Sequence, residues 1–255
     1  MSTFNPDFSQ ILDSELQELL TNFETITQDF ESNSQTTVIL QKPENNPHKL
    51  YDYYLDSLLL VYFNKYAILC QALIQSLNTA NYLIYGLIGR AIIEHTAILR
   101  YYVTDKMLPL VELALEDGQV TESEVSEIIP WLEKHLTGQR FNWTEFLADY
   151  LTHPTAGDAS QVNILTCLEK WTKNNSDIGV MYALFCDLVH PNLGSTLLIC
   201  RLVDNQVGIG GSQGEAIGLE IFKRTFVQLV QIFSEVKDQL VKIQTFKFSQ
   251  ALRVK

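Results

Sequence analysis

Between Ser57 and Ile93 the chain carries only two charged residues, Lys65 and Arg90. A span of that length with so little charge has to be buried against other elements, and this limits the fold more than any other feature. It is not one continuous apolar run. Tyr66 to Gly89 holds no charge, but it contains Gln71, Gln75, Ser76, Asn78, Thr79 and Asn81. Polar density in the middle argues against a membrane span and for two helices that meet at an Asn78-Thr79-Ala80-Asn81 corner. The spacing predicts a helix over about 49–77 and a second over 80–103, forming the centre of the fold. Gly86 and Gly89 each cost the second helix about 1 kcal/mol relative to alanine, a cost that close approach of a neighbouring helix can offset.

The rest of the chain is read around this pair. Leu12, Leu16, Leu19, Phe23, Ile26 and Phe30 step by threes and fours, one apolar stripe on an N-terminal helix over 7–31. A polar stretch with Pro43 and Pro47 follows as a linker. Residues 107–173 read as a helical insertion, with short helices at 121–137, 142–151 and 162–173. A helix over 176–190, capped by Ser176 or Asp177, ends near Pro191. Alternating apolar residues around Asp204-Asn205 suggest a small β-hairpin within 195–211. The final helix, 215–245, has an unbroken seam of Leu219, Phe222, Phe226, Leu229, Phe233, Val236, Leu240 and Ile243, which suits side-by-side helix packing. The expected fold is all-α: a helical bundle over 49–255, with the amphipathic helix and linker of 1–48, the helical insertion and one small β-hairpin.

Charge is distributed unevenly. The chain has 18 Lys+Arg against 30 Asp+Glu, a net −12. Residues 1–41 hold seven acids and no base, whereas residues 223–255 hold seven bases and two acids. Most of the body would repel a phosphate backbone, so RNA is a disfavoured partner and only the last helix could attract it. The quieter meaning is that the basic final helix packs beside acidic helices. Cys70, Cys167, Cys186 and Cys200 lack paired spacing and read as free thiols of a reducing compartment. The N-terminal stretch has neither the basic start nor the apolar run of a signal peptide. A soluble, cytoplasmic protein without a membrane anchor is expected.

Two places carry polar groups in apolar surroundings. Arg90 and Glu94 are four apart on the second central helix and can pair. Asp187 and His190 are three apart and share a face of a later helix, with Asn192 just beyond. Arg90, Glu94, Asp187 and His190 are therefore expected to converge as one polar cluster between two helices. The five histidines show no paired ligand spacing, so no metal is expected, and no cofactor fingerprint is present.

The segments RAIIEHTAILRYYV (from Arg90) and YALFCDLVHPN (from Tyr182) resemble a broad group of uncharacterised bacterial helical proteins near the HEPN superfamily. HEPN ribonucleases carry Arg-x(4–6)-His, and Arg90 with His95 fits that spacing. The resemblance implies an all-α domain with a metal-independent RNA-cleaving site, usually built across a dimer. Arg90 would stabilise the phosphate there and His95 would transfer protons, and His190 is a further candidate for the same site. This chain has Ala91 where the family commonly has a polar residue. In an uninterrupted helix five residues advance by about 500°, leaving Arg90 and His95 roughly 140° apart. Arg90 with Glu94 is the better geometric pair. Three functional expectations follow: association with a protein partner or a second copy, with the polar cluster setting packing specificity; RNA cleavage by Arg90 and His95; or binding of a small anion at Arg90.

Overall fold

The computed structural model describes residues 3–34, 39–44, 46–117, 122–138, 147–148, 162–203, 206–209 and 213–247. The chain is all-α. Helices α1 (Pro6–Gln10), α2 (Ser14–Ser34), α3 (Pro47–Asn78) and α4 (Tyr82–Tyr102) come first; a π-helical turn over Val103–Met107 leads into α5 (Leu108–Asp117). Then follow α6 (Glu122–Thr137), α7 (Ile164–Thr172), α8 (Ser176–Val189), the short α9 (Leu193–Leu197) and the long α10 (Gln213–Thr245). Cys200–Val203 and Gln206–Ile209 pair antiparallel, Cys200 opposite Ile209, and are the only strands among the described residues. The hairpin is shorter than the sequence expectation because residues 193–197 coil into α9. Most of the helix expected at 142–151 lies outside the described residues.

Several boundaries differ from expectation for local reasons. The helix expected over 7–31 is two helices, with Leu12 in the turn between them and the rest of the stripe on α2. Asn5 caps α1, its side chain accepting from the Asp7 N–H, and Asp13 Oδ1 then accepts from the Leu16 N–H at 2.9 Å to start α2. Helix α8 is capped by Asn175, not by Ser176 or Asp177. The α3–α4 corner turns through Ala80 at φ 50°, a left-handed position that alanine adopts at some cost.

The residues form two compact units that do not follow chain order. The first comprises Met1–Thr37, Tyr62–Thr96 and Lys170–Asp238; the second comprises Val38–Val61, Ala97–Glu169 and Gln239–Lys255. Helices α3, α4, α7 and α10 contribute to both.

The first unit is built on aromatic packing. Phe23 of α2 lies 5.5 Å from Phe226 and 5.0 Å from Phe233, ring centre to ring centre, and Phe30 lies 5.6 Å from Tyr66. Every seam residue of α10 in this unit from Phe222 onward is buried. Two buried tyrosines of this unit keep their hydroxyls hydrogen-bonded. Tyr66 Oη lies 2.6 Å from Thr96 Oγ1, and Tyr85 Oη lies 2.8 Å from Thr225 Oγ1. Without such partners each hydroxyl would cost about 1–3 kcal/mol to bury. Lys237 of α10 donates to Asp29 of α2, so the basic final helix does pair with the acidic N-terminal one. The Asn78 side chain ties the N-terminal segment to the corner, accepting from the Asn5 N–H at 2.7 Å and donating to Thr3 O at 2.9 Å.

In the second unit Tyr51, Leu55, Tyr102, Met107, Val125, Leu132, Leu240 and Ile243 are buried. Glu133 of α6 fastens the segment before α3. It accepts from Lys42 Nζ at 3.0 Å and from Tyr54 Oη at 2.8 Å. Lys106 stands 3.9 Å from the centre of the Trp131 ring, a cation–π contact. Lys247 pairs with Asp56.

Candidate functional site

The two glycines of α4 set how closely α8 approaches it. A Cβ built on Gly86 would stand 3.1 Å from Leu188, and one built on Gly89 only 2.5 Å from the Phe185 ring. Phe185 and Leu188 are three apart and define the face of α8 that meets α4. Tyr182, three residues before Phe185, shares that face.

This approach completes a polar cluster. Arg90 Nε donates to Glu94 Oε1 at 2.8 Å, and Tyr182 Oη donates to the same oxygen at 2.9 Å. The guanidinium carbon lies 5.9 Å from the centre of the Tyr182 ring, and Cys186 follows one helical turn later. The hydrogen bond to Glu94 strengthens the Arg90 cation. Burial, with the same carboxylate and Cys186, raises the Tyr182 phenol well above its ordinary value. Arg90 and Glu94 retain 29% and 28% of their side-chain exposure, so the cluster lies at the rim of the α4–α8 contact and not in the core. It holds its own charge balance: cation, carboxylate and phenol close on one another.

The expected quartet is only half assembled. Arg90 and Glu94 pair, and Tyr182 and Cys186 join them. The Asp187 side chain is exposed and lies over Gly194, where a Cβ would come within 2.1 Å of Oδ2. His190 is exposed and serves as the C-cap of α8, its N–H donating to Cys186 O at 3.0 Å. Asn192 organises the start of α9. Its carbonyl accepts from Ser195 Oγ at 3.0 Å and from Thr196 Oγ1 at 2.8 Å.

His95 occupies different surroundings. Burial, and secondarily the Lys65 cation of α3, lower its pKa to about 4 against a weaker pull from Glu94. The ring is neutral at pH 7. Helix α4 is uninterrupted from Tyr82 to Tyr102, so Arg90 and His95 diverge by roughly 140°. Arg90 turns toward Tyr182 of α8, and His95 toward Lys65 of α3. Among the described residues no three His, Cys, Asp or Glu side chains converge as metal ligands.

Exposed apolar side chains stand on three helices of the first unit, on α8 between the exposed acids Asp177 and Asp187. Ile68 on α3 is 64% exposed, Leu87 on α4 41% and Val180 on α8 71%. Ile84 and Ala183 add to them. Exposed Gln71 and Gln75 are the polar residues of the same stretch of α3. The most apolar 18-residue windows of α3 and of Tyr82–Glu112 reach mean hydropathies of 1.5 and 1.2, yet only 44% and 56% of those windows is buried. By length and composition both helices could cross a bilayer.

Comparison with known proteins finds no match: no family model, no curated protein and no solved structure aligns significantly with the chain.

Proposed function

We propose that the protein acts through association, pairing with a second copy of itself along the outward sides of α3 and α4. One observation carries this reading. On a chain of net charge −12, the exposed stretches of α3 and α4 here present Ile68, Ile84 and Leu87, and the charges there are Lys65 and the self-neutralised Arg90–Glu94 pair. A two-fold interface sets a patch against its own copy, so a charged patch repels itself and a neutral apolar one does not. Two acidic molecules therefore meet with least repulsion here. The Arg90–Glu94–Tyr182 cluster borders the face and fixes its register as a rigid polar landmark. The free thiols of Cys70, Cys186 and Cys200, Cys70 buried, suit a reducing compartment such as the cytoplasm.

Sedimentation of the wild type over a range of concentrations tests the reading. Wild type is expected to be dimeric, and Leu87→Lys and Ile68→Lys monomeric with unchanged helicity and melting temperature. A wild type that stays monomeric at all concentrations would overturn it. RNA cleavage by Arg90 and His95 requires residues from a second copy, because within one chain the two side chains face different helices. That reading expects Arg90→Ala to abolish cleavage in a protein that remains folded.

A further inference from the structure

Two polar groups on the outward sides of α3 and α4 lack the partners their chemistry calls for. Lys65 of α3 is exposed, lies 5.7 Å from the centre of the Tyr62 ring and meets no carboxylate among the described residues. Glu94 of α4 uses Oε1 to accept from both Arg90 Nε and Tyr182 Oη, and its Oε2 makes no hydrogen bond among the described residues. All of these residues belong to the first unit.

The two groups stand at one level along α4 and on opposite sides of it. Glu94 and His95 are consecutive, so they point about 100° apart around the helix. Glu94 turns toward Tyr182 of α8, and His95 toward Lys65 of α3. The exposed Ile84 and Leu87 run between them, with half-buried Ala91 next on the same stripe.

A two-fold axis in the plane of this face runs either across α4 or along it. Across α4, it sets α3 against α3 of the other copy and reverses the level. Helix α3 carries no acid from Tyr62 to Asn78, so Lys65 would be covered with no carboxylate opposite it. Along α4, the axis keeps the level and exchanges the sides, which brings each Lys65 to the other copy's free carboxylate oxygen. Covering an ammonium group without a counter-ion is strongly unfavourable, and only the second arrangement avoids it.

We propose that the two copies are related by an axis along α4 and joined by two reciprocal ion pairs, Lys65 of each with Glu94 of the partner subunit. The α4 helices then run side by side in the same direction, with Leu87 against Leu87 of the partner subunit. This orientation rests on the self-association proposed above and adds to it the residue that each copy supplies to the other.

Sedimentation of charge-reversed variants, alone and mixed, tests the orientation. Lys65→Glu and Glu94→Lys are each expected to weaken association about tenfold or more, because like charges then meet twice across the axis. An equimolar mixture of the two is expected to associate again, since both contacts regain opposite charges in the mixed dimer. Glu94→Lys also takes the acceptor from Arg90 and Tyr182, so a second pair of variants keeps the fold intact. Lys65→Met and Glu94→Gln should each weaken association, and the double variant no further than either alone. A wild type that stays monomeric at all concentrations overturns the self-association and this orientation with it. The orientation alone is overturned if wild type is dimeric and Lys65→Glu and Lys65→Met bind as tightly. A mixture of folded variants that stays monomeric, or full additivity in the double variant, overturns it equally.

Discussion

Gly89→Ala sets two known effects against each other at one atom. Alanine in place of glycine within a helix is favourable by about 1 kcal/mol. The added methyl would stand 2.5 Å from Phe185 Cε2 and 2.6 Å from Cζ, about 1 Å inside the usual 3.5–4.0 Å contact between carbons. Phe185 is fully buried with its ring 5.9 Å from that of Tyr85, so it has little room to swing aside. Overpacking of this kind costs about 1–3 kcal/mol. The net expectation is a loss of about 1 kcal/mol, or a melting temperature lower by about 2–4 °C for a chain of this size. Phe185→Leu withdraws the ring, so the double variant Gly89→Ala/Phe185→Leu should show favourable coupling of about 1–3 kcal/mol by denaturant titration. Gly86→Ala is the internal control. Its methyl would meet Leu188 at 3.1 Å, and a leucine side chain can yield by a few tenths of an ångström, so the substitution should be close to neutral. If Gly89→Ala stabilises the protein as an exposed helix position would, and shows no coupling to Phe185→Leu, then α4 and α8 do not approach as closely as described and the polar cluster between them loses its basis.

Further outcomes concern buried polar groups. The His95 imidazole, held at about 4 by burial and Lys65, lies below the ordinary value near 6.5 of an unfolded chain. As pH falls the unfolded state takes up this proton first. The stability tied to neutral His95 is therefore complete above about pH 6.5 and lost between pH 6.5 and 4. The full shift corresponds to about 3 kcal/mol, and partial exposure reduces it to about half. His95→Gln should flatten the melting temperature against pH in that window and leave pH 8 unchanged; parallel curves would refute the placement of the ring. Thr96→Val leaves the Tyr66 hydroxyl only the long 3.5 Å bond to Ile92 O and should cost about 1 kcal/mol in chemical denaturation, most of it recovered when Tyr66→Phe is added. Tyr182→Phe removes one of two donors to Glu94 Oε1 and should cost about 1 kcal/mol without altering helicity, measured by thermal melting with circular dichroism.

What the amino-acid pattern reveals differs between fold and site. The α10 seam is legible because steps of three and four persist wherever one helix face stays buried, and Phe222 through Ile243 are buried as that pattern requires. The α1–α2 break is not legible from periodicity, since Leu12 and Leu16 keep the stripe in phase across it; Asn5 and Asp13 are the local signals that mark it. The site depends on which face of α8 meets α4. A search for charged neighbours finds Asp187 and His190, both of which turn to solvent. The residue that reaches Glu94 is Tyr182, marked only by its three-residue steps to Phe185 and Leu188. Gly86 and Gly89 announce a close neighbour in the sequence but do not say which helix it is. The π-helical turn at Val103–Met107 has no counterpart in the apolar spacing.

Phe23 finds its place against Phe226 and Phe233, about two hundred residues further along the chain. On a ribosome adding about 5–20 residues per second, α2 emerges about 10–40 s before the helix that covers it. Until then the part of the stripe that faces α10, Phe23 above all, lacks its partners and is open to other nascent chains or to chaperones. The acids that flank it, Glu15, Glu18, Glu24, Asp29 and Glu31, then act as a temporary coat that keeps waiting copies apart. When α10 arrives, Lys237 meets Asp29 and part of that repulsion is cancelled as the stripe is covered. The acidic beginning and basic end of the chain thus work as a timed pair, guarding against misassembly during synthesis and joining once synthesis reaches α10.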